Sequence, residues 1–152
     1  MEKEIKIFLA VLALLAGTSF AVFYFLNNNE EAFPPISKNQ NIVYEPQTNS
    51  EEQVIITVTP KNISPDASAW EFEIVLDTHS VELDYDLMKN SALIDSAGNK
   101  YSSLEWVGDP PGGHHRKGVL KFRSIADLPE SVKLEFYNIG GIIRREFIWS
   151  LK

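Results

Sequence analysis

Beyond Gln53 the chain alternates apolar and polar residues with a period of two, and the pattern recurs. Val54, Ile56 and Val58 alternate with Ile55, Thr57 and Thr59; Trp70, Phe72, Ile74 and Leu76 alternate with Glu71, Glu73, Val75 and Asp77. Such alternation is the mark of a strand with one buried face. Near the C-terminus Val132, Leu134 and Phe136 repeat it, and after turn residues at Asn138 to Gly141 it resumes in Phe147, Trp149 and Leu151. Between these lie Ala92 to Asp95, the turn Ser96-Ala97-Gly98-Asn99, Tyr101 to Val107 with Leu104 and Trp106 inward, and Val119 to Arg123 with Leu120 and Phe122 inward. Only Asp86 to Ser91 reads as helical, for about one turn. The expected fold is therefore all-β, an antiparallel immunoglobulin-like β-sandwich of about seven strands over residues 53–152. Strand order does not follow from the pattern.

One break in phase bears on function. The inward residues are even-numbered as far as Leu76, but the next apolar set, Val81, Leu83 and Tyr85, is odd-numbered. A bulge or turn is expected within Asp77-Thr78-His79-Ser80.

Upstream the pattern changes character. Ile7 to Leu26 is an uncharged apolar run, and at about 1.5 Å per residue it reaches the roughly 30 Å of a bilayer core. Residues 1–26 are thus expected to form one transmembrane helix, an N-terminal membrane anchor. Ser19-Phe20-Ala21 offers a competing signal-peptidase site, with cleavage after Ala21. Lys3 and Lys6 precede the span and Glu30 and Glu31 follow it, so the positive-inside rule places the N-terminus in the cytoplasm and the C-terminal domain outside. Residues 27–52 hold three prolines and many Asn, Gln and Glu, and read as a polar linker. Ile42-Val43-Tyr44 is an exception that adds an edge strand at most, because Pro46 limits its length.

Composition narrows the function. The net charge is −7, and removing residues 1–26 leaves it unchanged, since Glu2 and Glu4 cancel Lys3 and Lys6. No nucleic-acid partner is expected from so acidic a chain. The chain has no cysteine, which removes disulfides, thiolate catalysis and Cys-based zinc sites. There is no GxSxG elbow, phosphate loop or Rossmann fingerprint, so the chain reads as non-enzymatic. Asp84 and Asp86 flank Tyr85 and are expected on a solvated face. Asn62-Ile63-Ser64 matches a glycosylation sequon by a three-residue pattern.

The densest chemistry lies in DPPGGHHRKG, residues 109–118. His114 and His115, joined by His79, would suit zinc or copper, with Asp109, Asp77 or Glu105 completing the shell. Otherwise no cofactor is expected. Successive N–H groups around Gly112-Gly113, helped by Arg116 and Lys117, offer an anion cradle. The same residues also describe a stiff loop: Pro110-Pro111 restrict it, and the glycines permit positive φ. Chain geometry decides whether the histidines meet. If Val81 to Tyr85 spans the sheet as a separate strand, His79 and the loop lie about 20 to 27 Å apart; if His79 sits in a bulge, both fall at one end. Ile142, Ile143 and Ile148 form a candidate exposed strip and hence an interaction surface.

The runs WEFEIVLDTHSVELDYDL (70–87), GGHHRKGVLKF (112–122) and IGGIIRREFIWSL (139–151) resemble an uncharacterised group of short prokaryotic exported or membrane-anchored β-domain proteins. The resemblance covers most of the domain, with GGHHRKGVLKF its most distinctive part. It implies an extracytoplasmic β-domain and no activity. The expected function is a membrane-anchored extracytoplasmic binding or protein-interaction module, with a protein partner outside the cytoplasm.

Overall fold

The computed structural model describes residues 43–152, and the expected anchor and most of the linker lie outside them. Nine strands, all antiparallel, form two sheets among the described residues. Sheet A runs in the order β1 (Gln47–Asn49), β2 (Val54–Asn62), β3 (Ala69–Thr78), β7 (His115–Arg123), β6 (Ser103–Gly108). Sheet B runs β5 (Lys100–Tyr101), β4 (Ser91–Asp95), β8 (Ser131–Ile139), β9 (Ile142–Ser150).

The two sheets close on one core, because each period-two strand turns its apolar side to the other sheet. Ile56, Trp70, Phe72, Ile74, Leu76, Leu120 and Phe122 from sheet A meet Leu93, Leu134, Phe136, Phe147 and Trp149 from sheet B. Phe72 touches both Phe122 and Trp149, with ring centroids 5.8 and 5.7 Å away. Edge-to-face rings of this kind add to the area they bury. The β-sandwich expected from alternation is therefore present.

Two local expectations need correcting, at Leu104 and at the start of the domain, and two readings, of Val81 to Tyr85 and of the single turn at Asp86 to Ser91, are decided by the structure. Leu104 is not inward: the β6–β7 register shifts between Ser103 and Glu105, and the bulge turns Leu104 to solvent, 53% exposed. Val81 to Tyr85 is extended but joins neither sheet as a strand, and carries the chain from β3 across to β4. Asp86 to Asn90 makes a single turn closed by Asn90 N–H to Asp86 O (2.9 Å), with Asp86 Oδ1 accepting from the N–H groups of Met88 and Lys89. No helix forms among the described residues. Finally, the sandwich takes in residues ahead of 53. An edge strand is present at Gln47–Asn49, beyond Pro46 rather than at Val43-Tyr44, and Tyr44 packs against the core while Val43 stays exposed.

Candidate functional site

Three connections share one end of the sandwich: the crossover from His79 to Asn90, the loop from Asp109 to His114, and the β8–β9 hairpin at Gly140-Gly141. Their placement follows from register. Val54 pairs with Thr78, and Asp77 pairs with His115. At Gly140 an added Cβ would meet Val54 Cγ2 at 2.7 Å, so the hairpin closes over the start of β2. His79 therefore shares its end with His114 and His115, and Thr78 N–H donates to His114 O (2.9 Å).

The Asp109–His114 loop and the crossover are knitted together. Leu83 N–H donates to Gly113 O, and Gly112 N–H donates to Leu83 O, each at 2.9 Å. Gly112 and Gly113 have φ of 116° and 72°, as a glycine pair permits. Their N–H groups are spent within the chain rather than left for an anion: Gly112 N–H goes to Leu83 O, and the Gly113 N–H binds the Glu82 carboxylate at 2.7 Å.

Arg116 is placed differently from an anion ligand. It is 3% exposed and donates to Leu83 O (3.3 Å), Tyr85 O (2.6 Å) and Asp109 O (3.2 Å). Its guanidinium lies over the Trp106 ring, 5.2 Å from the centroid. Burial lowers the Arg116 pKa, while Asp109 and Asp86 act in the opposite direction. The indole beneath it fits because β6 and β7 meet at Gly108 and Gly118. A Cβ on Gly118 would stand 2.6 Å from Trp106 Cζ2 and 2.7 Å from Gly108 Cα.

The remaining loop residues have identified partners or face solvent. His115 Nδ1 bonds Asp77 Oδ1 at 2.7 Å, and its side chain is 72% exposed. His79 and His114 are exposed. Asp109 closes the base of the loop, its Oδ2 accepting from Lys117 N–H (2.8 Å), while Lys117 Nζ reaches Glu73 at 3.4 Å. Glu105 pairs with Lys121 at 3.1 Å. The three histidines share an end, but among the described residues no three His, Asp or Glu side chains gather into a group that would hold a metal ion.

The second candidate surface is sheet B's outer face beside the β8–β9 hairpin. Ile143 is 80% exposed and Ile148 52%, while Ile142 is half-buried. They do not form a continuous strip: Arg144 and Glu146 stand between them along β9, and Ile143 has the parity of inward Arg145 and Phe147, so it is exposed at the hairpin beyond the core rather than on the outer face with Ile148. An open depression of about 640 Å³ is lined by Tyr137, Gly141, Ile142, Ile143 and Arg144. Beside it the polar side chains are held in a network. Lys133 Nζ lies 2.8 Å from Glu135 and 3.0 Å from Glu146, and Arg144 Nε lies 3.1 Å from Glu146. Tyr137 OH donates to Glu135, and Lys100 sits 4.7 Å from the Tyr137 ring centroid. Glu135 is only 3% exposed although its side chain points outward. Burial acts to raise its pKa, but hydrogen bonds from Lys133 and Tyr137 outweigh it and hold the carboxyl below the usual range.

β9 is the edge strand of sheet B, and one side chain guards it. Gln47 uses its amide as a strand would, accepting from Ile148 N–H (3.0 Å) and donating to Ile148 O. Next to it Trp149 Nε1 donates to Glu45 O at 2.9 Å. Arg145, 1% exposed, fastens the β1–β2 turn from within, donating to Asn49 Oδ1 (2.6 Å), Val54 O (2.7 Å) and Glu51 O (2.8 Å).

Arg116, Arg145, Gln47 and the buried Glu135 are the residues that sequence reasoning did not single out as structural, whereas Trp106, expected inward, does pack against the core. For the two arginines a signal exists: Arg116 is in phase with Leu120 and Phe122, and Arg145 with Phe147 and Trp149, so each stands at an inward position. Gln47 and Glu135 give no comparable signal, since their roles depend on neighbours in other strands. No protein-family model, curated protein or solved structure matches the chain.

Proposed function

We propose that the chain is a non-enzymatic, extracytoplasmic protein-interaction module, tethered to a membrane through residues 7–26, whose contact surface is the β8–β9 hairpin and the adjoining outer face of sheet B. The observation that carries this is the exposure of Ile143 and Ile148 on an edge strand whose polar neighbours are already fixed to one another. Large apolar side chains exposed beside a rigid polar frame favour a partner, because the partner gains apolar burial without having to order the frame. The loop end is less suited to bind a small ligand, since Arg116, Gly112, Gly113 and Asp109 are committed to one another and to the crossover.

The immunoglobulin-like assignment belongs to the same proposal. The order β2-β3-β7-β6 corresponds to A-B-E-D and β4-β8-β9 to C-F-G. In that correspondence the hairpin at Gly140-Gly141 is the F–G connection, at an end where such sandwiches cluster their binding loops.

The test places a photoreactive side chain at Ile143 or, as control, at Leu104, which is also exposed but lies on the edge strand of sheet A. In membranes of cells making the full chain, position 143 is expected to give a discrete protein adduct and position 104 none. Adducts of the same pattern from both positions, or from neither, would overturn the assignment.

A further inference from the structure

The unguarded part of the β9 edge is complementary to itself. In an antiparallel pair, successive residues alternate between bonding the neighbouring strand and facing away from it. Ile148 gives both its backbone groups to Gln47, so its pairing with Lys133 is of the non-bonded kind. By alternation the N–H and C=O of Glu146 and Arg144 also face away from β8. The β8 side agrees: Tyr137, opposite Arg144, spends its N–H on Asn90 O (2.8 Å) and its C=O on Asn90 Nδ2 (2.9 Å). Among the described residues no hydrogen bond is made to the outward backbone groups of Arg144 and Glu146. They are the open edge, and edges of this kind accept a further strand.

We infer that the occupant is a second copy of this chain, β9 against β9 about a two-fold axis at Arg145, extending sheet B across two molecules. The inference rests on β9 being the contact surface and names its partner. Charge decides the register. Outward-facing residues must oppose outward-facing residues, which leaves three antiparallel alignments. Arg144 opposite Arg144 and Glu146 opposite Glu146 each set like charges face to face, which is destabilising. Arg144 opposite Glu146 of the second copy pairs opposite charges twice, by symmetry. That alignment also brings Ile142 opposite Ile148 of the second copy, apolar against apolar. The order Ile142, Arg144, Glu146, Ile148 thus reads as its own complement in reverse. Arg145, at the axis, keeps its guanidinium on the β1–β2 turn of its own molecule. Gln47 already satisfies Ile148, so main-chain bonding is confined to Arg144 and Glu146. So short a seam makes a reversible dimer, as suits chains concentrated on one membrane.

Because the chain has no cysteine, the register can be tested with single thiols. Full chain carrying Arg144→Cys is mixed with full chain carrying Glu146→Cys and oxidised mildly. The mixture is expected to form a disulfide dimer at least tenfold faster than either variant alone, because residue 144 opposes 146 and not itself. Equal rates in all three samples, or no cross-link in any, would overturn the inference. Independently, Arg144→Glu and Glu146→Arg are each expected to weaken self-association at least tenfold, and mixing the two variants to restore it. Failure of the mixture to recover would also overturn it. If these fail while Ile143 still yields its discrete adduct to another protein, the contact surface stands and only the second copy as partner is lost.

Discussion

Arg116→Met keeps most of the side chain's length and apolar stem but removes the donors that bind the crossover to the loop. The cost follows from what each acceptor has left. Leu83 O retains the Gly112 N–H (2.9 Å), and Asp109 O retains the Trp106 Nε1–H (2.9 Å). Tyr85 O loses its only donor among the described residues. One orphaned carbonyl costs about 1–3 kcal/mol, and loss of the stack on Trp106 costs roughly 1 kcal/mol more. Relief from burying a charge offsets part of this, for a net destabilisation of about 2 kcal/mol. For a domain of this size that lowers Tm by about 8 °C. The assay is thermal unfolding by circular dichroism, with the exposed neighbour Lys117→Met as control, and amide exchange to locate the change at Leu83 and Gly112. A loss no larger than the control's, or exchange spread evenly over the sandwich, would refute the view that Arg116 fastens the site.

Gly118→Ala forces a methyl into the space occupied by Trp106 and Gly108; overpacking of this kind costs about 1–3 kcal/mol, and a shift in tryptophan emission is expected alongside a lower Tm, with an unshifted spectrum contradicting the proposed clamp. Glu135 has a folded-state pKa below its ordinary value, so its contribution to stability is complete above about pH 4.3 and is lost as pH falls through the folded value. The Tm advantage of the parent chain over Glu135→Gln should therefore shrink below about pH 4; an advantage unchanged from pH 7 to pH 3 would contradict the linkage. With His115 held by Asp77 and no three-ligand group among the described residues, elemental analysis of the full chain should find the same zinc and copper content in the parent and in a His79→Ala, His114→Ala, His115→Ala variant; a clear drop in the variant would restore the metal reading.

Period-two alternation carried most of the fold. It placed the buried faces of β2, β3, β7, β8 and β9 because each turns one full face to a shared core, and side chains there have no other way to leave water. It failed at Leu104, where a bulge adds a residue and reverses the face, and alternation alone does not say which strand is bulged. The phase break after Leu76 was readable, but its consequence was not. Whether His79 met the Asp109–His114 loop depended on a strand pairing between residues nearly forty positions apart. The site was harder to read for a related reason. DPPGGHHRKG looks like binding chemistry because its donors are counted as free, and they are free only until Glu82, Leu83 and Tyr85 arrive from another connection. Conversely, Ile143 and Ile148 were visible as apolar residues out of phase with Phe147 and Trp149 or beyond the core's end, and they are indeed exposed. Arg144 and Glu146, which stand between them, belong to β9 itself, but Lys133, which ties Glu146 down, comes from β8 and was not visible in β9 alone.

If β9 is the contact surface, its hairpin and outer face are covered in the membrane and bare in isolation. Oxidative footprinting of the full chain, in native membranes and again after purification in detergent, tests it without assuming what the partner is. Ile143 and Ile148 should be modified several-fold less in membranes than after purification, while Leu104 and Val107, exposed on the edge strand of sheet A, should react equally in both. Equal modification of Ile143 and Ile148 in the two preparations would contradict the account.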